Sequence, residues 1–227
     1  MSLESTIHDV LVVGGGNAAL CAALSAAEQG ASVVLLERAP VEERGGNSAY
    51  TDGKVRFAYA GQEDIVALSA DLTEEEIATT DFGQYTESDF FDDMARITQH
   101  RTDPDLCEIL VRNSNATMHW MKGNGVKFMP NYGRQAYKED GRFTFWGGAP
   151  LATYGGGPGL VEALYAAVEK KGVRIVYEAW VKDLLHDVDG VSGVVARIGG
   201  KELKIRARAT VLACGGFEAN TEWRTRY

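Results

Sequence analysis

Apolar residues along this chain follow three different periods, and each period predicts a different element. Residues 9–13 ("DVLVV") and 32–37 ("SVVLLE") are nearly continuous apolar runs, the pattern of strands covered on both faces. Between them, residues 17–29 carry alanines at 18, 19, 22, 23, 26 and 27 and stop at Gly30, which predicts a helix able to lie close on a sheet. Strand, helix and strand in that order predict a right-handed crossover between parallel strands.

The period changes further along. Phe90, Phe91, Met94 and Ile97 fall at helical spacing within residues 86–99. Asp103-Pro104 then opens a second helix, Asp as N-cap and Pro at the first helical position, with Leu106, Ile109, Leu110, Trp120 and Met121 as its apolar positions. Asp140-Gly141 between aromatic flanks ("RQAYKEDGRFTFW") predicts a hairpin. The α/β pattern resumes with a helix over 158–171 and a strand over 173–177. Short segments at 180–187, 191–198 and 201–207 then predict an antiparallel meander, and "ATVLACGG" predicts a separate last strand over 210–214. The expected fold is therefore α/β: a Rossmann-like domain with a parallel sheet and a three-stranded meander, from residues 1–59 and 151–227. A mostly helical insertion, the start of a substrate or cap domain, is expected over 60–150.

Composition adds less. A chain of 227 residues with 45% apolar and 24% charged residues suits a soluble protein with a core, and no apolar run approaches a membrane span. No basic flank or apolar stretch at the start suggests a secretory signal. Cys21, Cys107 and Cys214 are odd in number and widely spaced, which predicts reduced thiols, a cytoplasmic protein and no metal site. The net charge of −9 is concentrated: between Glu63 and Glu108 stand fourteen Asp and Glu against Arg96 and Arg101. This block reads as solvated helix faces, and nucleic acid is not an expected partner.

The chemistry-bearing feature is the glycine run after the first strand. Gly14, Gly16 and Ala19 fit G-x-G-x-x-A at a strand-to-helix turn, with Gly15, Asn17 and Ala18 between them. Gly14 suits the tight turn, Gly16 lets a pyrophosphate approach, and Ala19 lets helix and strand pack closely. The helix N-terminus offers free N–H groups and a positive dipole. Glu37, 23 residues after Gly14, stands where an acid accepts from ribose hydroxyls and repels a 2′-phosphate. NAD and FAD both fit this fingerprint. A second glycine loop, Arg44-Gly45-Gly46-Asn47-Ser48, would support a cofactor of longer reach, and Arg38 or Arg44 would offset phosphate charge.

The stretches "DVLVVGGGNAALCAALSAAEQGASVVLLERAP" and "RGGNSAYT", with "GGGPGLVEAL", "VYEAWVKDLL" and "VLACGGFEAN", resemble the fumarate reductase/succinate dehydrogenase flavoprotein family, which includes 3-ketosteroid dehydrogenases. The resemblance implies FAD. It places Gly14 to Ala19 at the pyrophosphate, Glu37 at the adenosine ribose, and Arg44 to Ser48 along the flavin side. It also places the backbone of Val181 at adenine, and Ala213, Gly215 and Gly216 over the adenosine and pyrophosphate end. Where many relatives carry a further glycine pair, this chain has only Gly53, and no histidine lies within residues 45–53, so noncovalent FAD is expected.

By the same resemblance the reaction is desaturation beside a carboxylate or ketone: a small, tricarballylate-like acid, or a ketosteroid in another branch. An electron acceptor, not identified, completes it. The alternative is a flavin-holding module without catalysis. Family chains run on past the strand near residue 210, so an N-terminal portion or a short relative is expected, with the catalytic Arg and His lying further on. Within the chain, Arg134 and Arg142 are weak candidates for gripping a carboxylate, against a plainer reading as ion pairs with Glu139 and Asp140. His8, His100, His119 and His186 suggest nothing specific. Cys214 reads as a small residue at a strand end, and Phe143, Phe145, Trp146 and Tyr154 read as core before cleft.

Overall fold

In chain order the computed structural model contains β1 (Ile7–Val13), α1 (Asn17–Glu28), β2 (Val33–Leu36), β3 (Lys54–Val55), α2 (Gln62–Leu68), α3 (Glu74–Ala78), β4 (Thr80–Asp81), α4 (Glu87–Thr98), α5 (Pro104–Gly123), β5 (Phe128–Pro130), α6 (Tyr132–Gln135), β6 (Ala136–Glu139), β7 (Arg142–Phe145), β8 (Leu151–Thr153), α7 (Gly156–Lys170), β9 (Arg174–Val176), β10 (Trp180–Asp187), β11 (Gly190–Ile198), β12 (Lys201–Leu212) and α8 (Thr221–Arg226). It describes residues 3, 5–69 and 71–227. Two compact units result, Met1–Tyr50 with Val161–Tyr227, and Thr51–Leu160.

The first unit is built on a six-stranded sheet in the order β10-β11-β12-β1-β2-β9. The runs read as doubly covered strands are so: β2 is buried at all four positions, and Leu11 and Val12 are fully buried. The alanine-rich helix α1 buries Ala19, Leu20, Ala23 and Leu24, and it closes where Gly30 takes φ +83° and Ala31 N–H donates to the Ala26 carbonyl. β1 pairs in parallel with β2 on one side and β12 on the other. Register is pinned at the far end by Asp9. Its carboxylate accepts from the Ser32 N–H (2.9 Å) and hydroxyl (2.6 Å), and pairs with Arg208 at 2.9 Å. The Ser32 bonds hold the Asp9 carboxyl below the usual range.

One expectation is corrected here. The separate strands read over 201–207 and 210–214 are a single strand, β12. Its first half is antiparallel to β11 (Lys201↔Ile198 to Arg206↔Gly193), and its second half is parallel to β1 (Arg206↔Ile7 to Leu212↔Val13). The polar alternation of "KIRARAT" marks a change of neighbour along one strand, not a turn.

The second unit carries α2 to α6 and two three-stranded sheets, β3-β8-β5 and β4-β7-β6, so it is less purely helical than its apolar spacing suggests. The border falls at residues 50/51 and 160/161 rather than 59/60 and 150/151, because β3 and β8 pair with each other and take both flanks into this unit. The hairpin is where expected, Asp140 (φ +47°) and Gly141 (φ +86°) forming the two-residue turn between β6 and β7. Phe82 and Phe145 stack at 5.2 Å, and Tyr132 packs on Phe143 and Phe145. Trp146 and Tyr154 are exposed, so the aromatic run divides between core and surface.

Helix α5 buries Met121 as read from sequence, but over its first three turns it buries another face. Cys107, Val111, Ser114, Met118 and Met121 point inward, while Leu106, Ile109 and Leu110 are exposed. Ser114 decides it: its hydroxyl accepts from Ala58 N–H at 3.0 Å and donates to the Val111 carbonyl, which makes a polar residue a good core residue at this point. Much of the acidic block is solvated, and three of its members serve helix starts. Glu76 and Asp89 complete capping boxes with Thr73 and Thr86, and Asp103 accepts from Leu106 N–H at 3.0 Å. Replacing Asp103 with Ala is expected to cost about 1 kcal/mol in urea unfolding, with an unchanged slope.

Candidate functional site

Three chain segments leave the sheet side by side at the carboxyl ends of β1, β2 and β12. There the strand order runs from β1 to β2 in one direction and to β12 in the other, a switch point that opens a crevice in parallel sheets. A cavity of about 1000 Å³ occupies that crevice. Its floor is Gly14 to Ala18, with Glu37 and Arg38 on one side and Ala213 to Gly216 on the other. Gly45 to Ser48 and the β10 edge from Ala179 to Leu184 form the walls.

The glycines are there for space. At Gly14 the backbone takes φ +114° and its N–H donates to the Leu36 carbonyl at 2.9 Å; a Cβ there would overlap the Ala213 carbonyl on β12. A Cβ at Gly15 would overlap the Tyr165 hydroxyl and the Glu37 carboxylate. At Gly16 a Cβ would lie 3.2 Å from Ser48 Oγ and 3.4 Å from the Gly45 carbonyl. Gly16 thus also admits the second glycine loop, whose Ser48 hydroxyl accepts from the Asn17 N–H at 3.0 Å. Gly16 is the N-cap of α1 and brings no side chain, so at the helix start, which lines the cavity, the Ser48 hydroxyl takes the Asn17 N–H in place of an N-cap side chain.

Glu37 is 8% exposed, its Oε1 accepting from Ala39 N–H at 2.8 Å while its own backbone bonds Val176 and Ala179. That network fixes one acceptor-only group at the end of β2. Beside it, Arg38 lies 4.7 Å over the Trp180 ring, and Lys182 Nζ lies 3.6 Å from the same centroid. Sequence reasoning missed Trp180, although an aromatic residue directly before the resembling "VKDL" was the available signal. Asn47 donates to Glu218 Oε2 at 2.8 Å, joining the second glycine loop to the segment after Gly216.

Of the residues expected at the cofactor, fifteen line this one cavity: Gly14, Gly15, Gly16, Asn17, Ala18, Glu37, Arg38, Gly45, Gly46, Asn47, Ser48, Val181, Ala213, Gly215 and Gly216. Ala19 is fully buried in the helix–sheet contact, the packing part read for it. Arg44 is the departure. Instead of lining the cavity, its guanidinium lies 4.0 Å over the Tyr165 ring, donates to Tyr177 Oη at 2.8 Å, and pairs with Glu169 at 3.5 Å and Glu162 at 3.9 Å. The carboxylates and rings of α7 and the β9 end outcompete the cavity for it.

The weak catalytic candidates lie outside this cavity. Arg134 pairs with Asp52 at 3.4 Å, not with Glu139 or Asp140, because β6 carries those two away beyond the hairpin. Arg142 is exposed beside the hairpin turn. His8 is buried in β1, and burial holds its imidazole pKa below the usual value. Among the described residues, no histidine lines the cavity. Cys214 lines the cavity, whereas burial pushes the Cys21 thiol in α1 up to about 11.

A dinucleotide fits the geometry: a helix start whose N-cap brings no side chain, three glycines where an added carbon would overlap or crowd the groups packed around the turn, a fixed carboxylate at the end of the next strand, and a cavity at the upper end of ordinary ligand volumes. The sequence profile described as FAD binding domain matches residues 9–227. The chain is 28% identical to a fumarate reductase (cytochrome) of Shewanella frigidimarina over 97% of this chain and 36% of that protein. It also superposes on the open conformation of a flavocytochrome c3 fumarate reductase (TM-score 0.72, 26% identity, 98% of this chain and 36% of that one). A second likeness is to the 3-ketosteroid-delta4-(5alpha)-dehydrogenase of Rhodococcus jostii RHA1 (TM-score 0.60, 26% identity, 96% and 48%). The chain spans between about a fifth and about a third of the length of the curated relatives it matches. Among the described residues, no helix is long and apolar enough to cross a membrane.

Proposed function

We propose that this chain, which belongs to the family of FAD binding domains, is the cofactor-holding part of an oxidoreductase that moves a hydride between FAD and a small carboxylic acid. The observation that carries the cofactor reading is the glycine turn: Gly14, Gly15 and Gly16 all line the cavity, and at each a single added carbon would collide with, or crowd, the groups packed around the turn. There the start of α1 would face the pyrophosphate, and Glu37 would accept from the adenosine ribose. The backbone of Val181 would meet adenine, and the Gly45 to Ser48 loop would run along the flavin side. When bound, FAD supplies the hydride acceptor or donor, which no side chain provides.

The acid substrate is supported by likeness to the fumarate reductases, and the finer reading is an acid of the tricarballylate type, desaturated beside a carboxylate. The likeness to the ketosteroid dehydrogenase favours a second reading, in which a ring ketone takes the place of the acid. Arg134 and Arg142 remain the candidates in this chain for a carboxylate contact. The cofactor is proposed to be held without a covalent bond, and acid precipitation should release the flavin into the supernatant.

An anaerobic titration tests the reaction. Purified yellow protein is expected to lose its flavin absorbance near 450 nm with tricarballylate or succinate, or after reduction to regain it with fumarate. A steroid ketone in the same panel reads the second branch. Yellow protein unchanged by every compound assigns the chain to nucleotide holding alone. Colourless protein that takes NADH instead removes the flavin reading.

A further inference from the structure

A buried phenol lies directly under the glycine turn, and nothing in the cofactor reading uses it. Tyr165, on α7, is fully buried, and its hydroxyl donates to the Gly15 carbonyl at 3.1 Å. The Arg44 guanidinium carbon lies 4.0 Å over the ring centroid, and the group is itself held by Tyr177 Oη at 2.8 Å and by Glu169 at 3.5 Å. Tyr177 stacks beside Tyr165 with ring centroids 6.3 Å apart. A Cβ on Gly15 would strike the same hydroxyl, so turn and phenol are in close contact and not merely near.

We infer that Tyr165 is a positioning residue for the pyrophosphate end of the cavity, and that Arg44 acts as the clamp that keeps it in place. The reason is the geometry of one peptide unit. No cis peptide occurs among the described residues, so the carbonyl of Gly15 and the N–H of Gly16 point in opposite directions. Holding that carbonyl down on a buried hydroxyl aims the Gly16 N–H away from α7, to the side where Gly16 lines the cavity. In a segment of three glycines the backbone has wide freedom, and a peptide flip would turn a carbonyl dipole toward the phosphates. Tyr165 opposes that flip. This also accounts for Arg44, whose planar group supplies a stack that a lysine would not.

This inference rests on the FAD reading and makes a sharper demand: the effect must follow phosphate and not nucleoside. Tyr165→Phe keeps the ring and the Arg44 stack and removes only the donor. In the full chain, ADP and FAD affinity should fall about fivefold, the weight of one ordinary hydrogen bond, while adenosine affinity stays as in the parent. Both are read by quenching of tryptophan fluorescence, since Trp180 lines the cavity. Arg44→Lys keeps the charge but loses the guanidinium held over the ring by Tyr177 and Glu169, and should show the same loss for ADP and FAD with adenosine unaffected; it also decides the matter if Tyr165→Phe fails to fold. Unchanged ADP affinity, or equal losses for ADP and adenosine, would overturn the inference. A parent protein that binds neither ADP nor FAD would instead overturn the FAD reading itself.

Discussion

Protein carrying Gly14→Ala is expected to leave purification colourless, with bound flavin below about a tenth of the parent stoichiometry. Two costs add at this position. An alanine at φ +114° is strained by roughly 1–2 kcal/mol, and its Cβ would overlap the Ala213 carbonyl, so that β1 and β12 must part for about 1–3 kcal/mol more. The second cost falls on the cavity itself, since Gly14 and Ala213 are neighbours in its lining. The ratio of absorbance at 450 to 280 nm measures the flavin, and thermal unfolding measures the strain. Gly30→Ala is the control: its φ is +83° but nothing lies within 4 Å of the added carbon, so it should lose some stability and keep its flavin. Full flavin content in the Gly14 variant would remove the cradle from the argument.

The second large effect is expected at Glu37. Glu37→Ala deletes a charged acceptor that holds the Ala39 N–H at 2.8 Å and that is placed to take the ribose hydroxyls. Hydrogen bonds to charged groups contribute about 1.5–3 kcal/mol, so FAD affinity should fall by roughly 10- to 100-fold. Unlike Tyr165→Phe, this variant should weaken adenosine as strongly as ADP, because ribose is common to both. Glu37→Gln, which keeps one acceptor oxygen, should recover part of the loss. Loss of ADP affinity with adenosine unaffected would move Glu37 from the ribose to the phosphates.

These two positions were legible because their signals are local. A glycine that must sit in a left-handed turn between a strand and a helix, and an acid at the end of the next strand, are separated by one crossover of fixed length. The same holds for the helix start at Asp103 and the turn at Asp140-Gly141, where a few neighbouring residues determine the backbone. The misreadings have the opposite character. Two apolar stripes compete on α5, and Leu106, Ile109 and Leu110 lost to Cys107, Val111 and Met118 because Ala58, far along the chain, presents its N–H to Ser114. Arg44 was drawn away from the cavity by Tyr165, Glu169 and Tyr177, more than a hundred residues downstream. Nothing in the spacing of "RGGNS" encodes them.

By itself, then, the sequence determined the parallel crossover at the centre of the first unit and the glycine turn and acid that line its cavity. Those properties follow from periodicity and backbone sterics over stretches of about thirty residues or fewer. Only the tertiary structure decided that β12 is one strand serving two neighbours, that Trp180 joins the cavity wall, and that Arg44 lies over the Tyr165 ring. Each of these depends on which distant group arrives to satisfy a strand edge, a ring face or a buried charge. That competition is settled by packing in three dimensions, and sequence spacing carries no record of it.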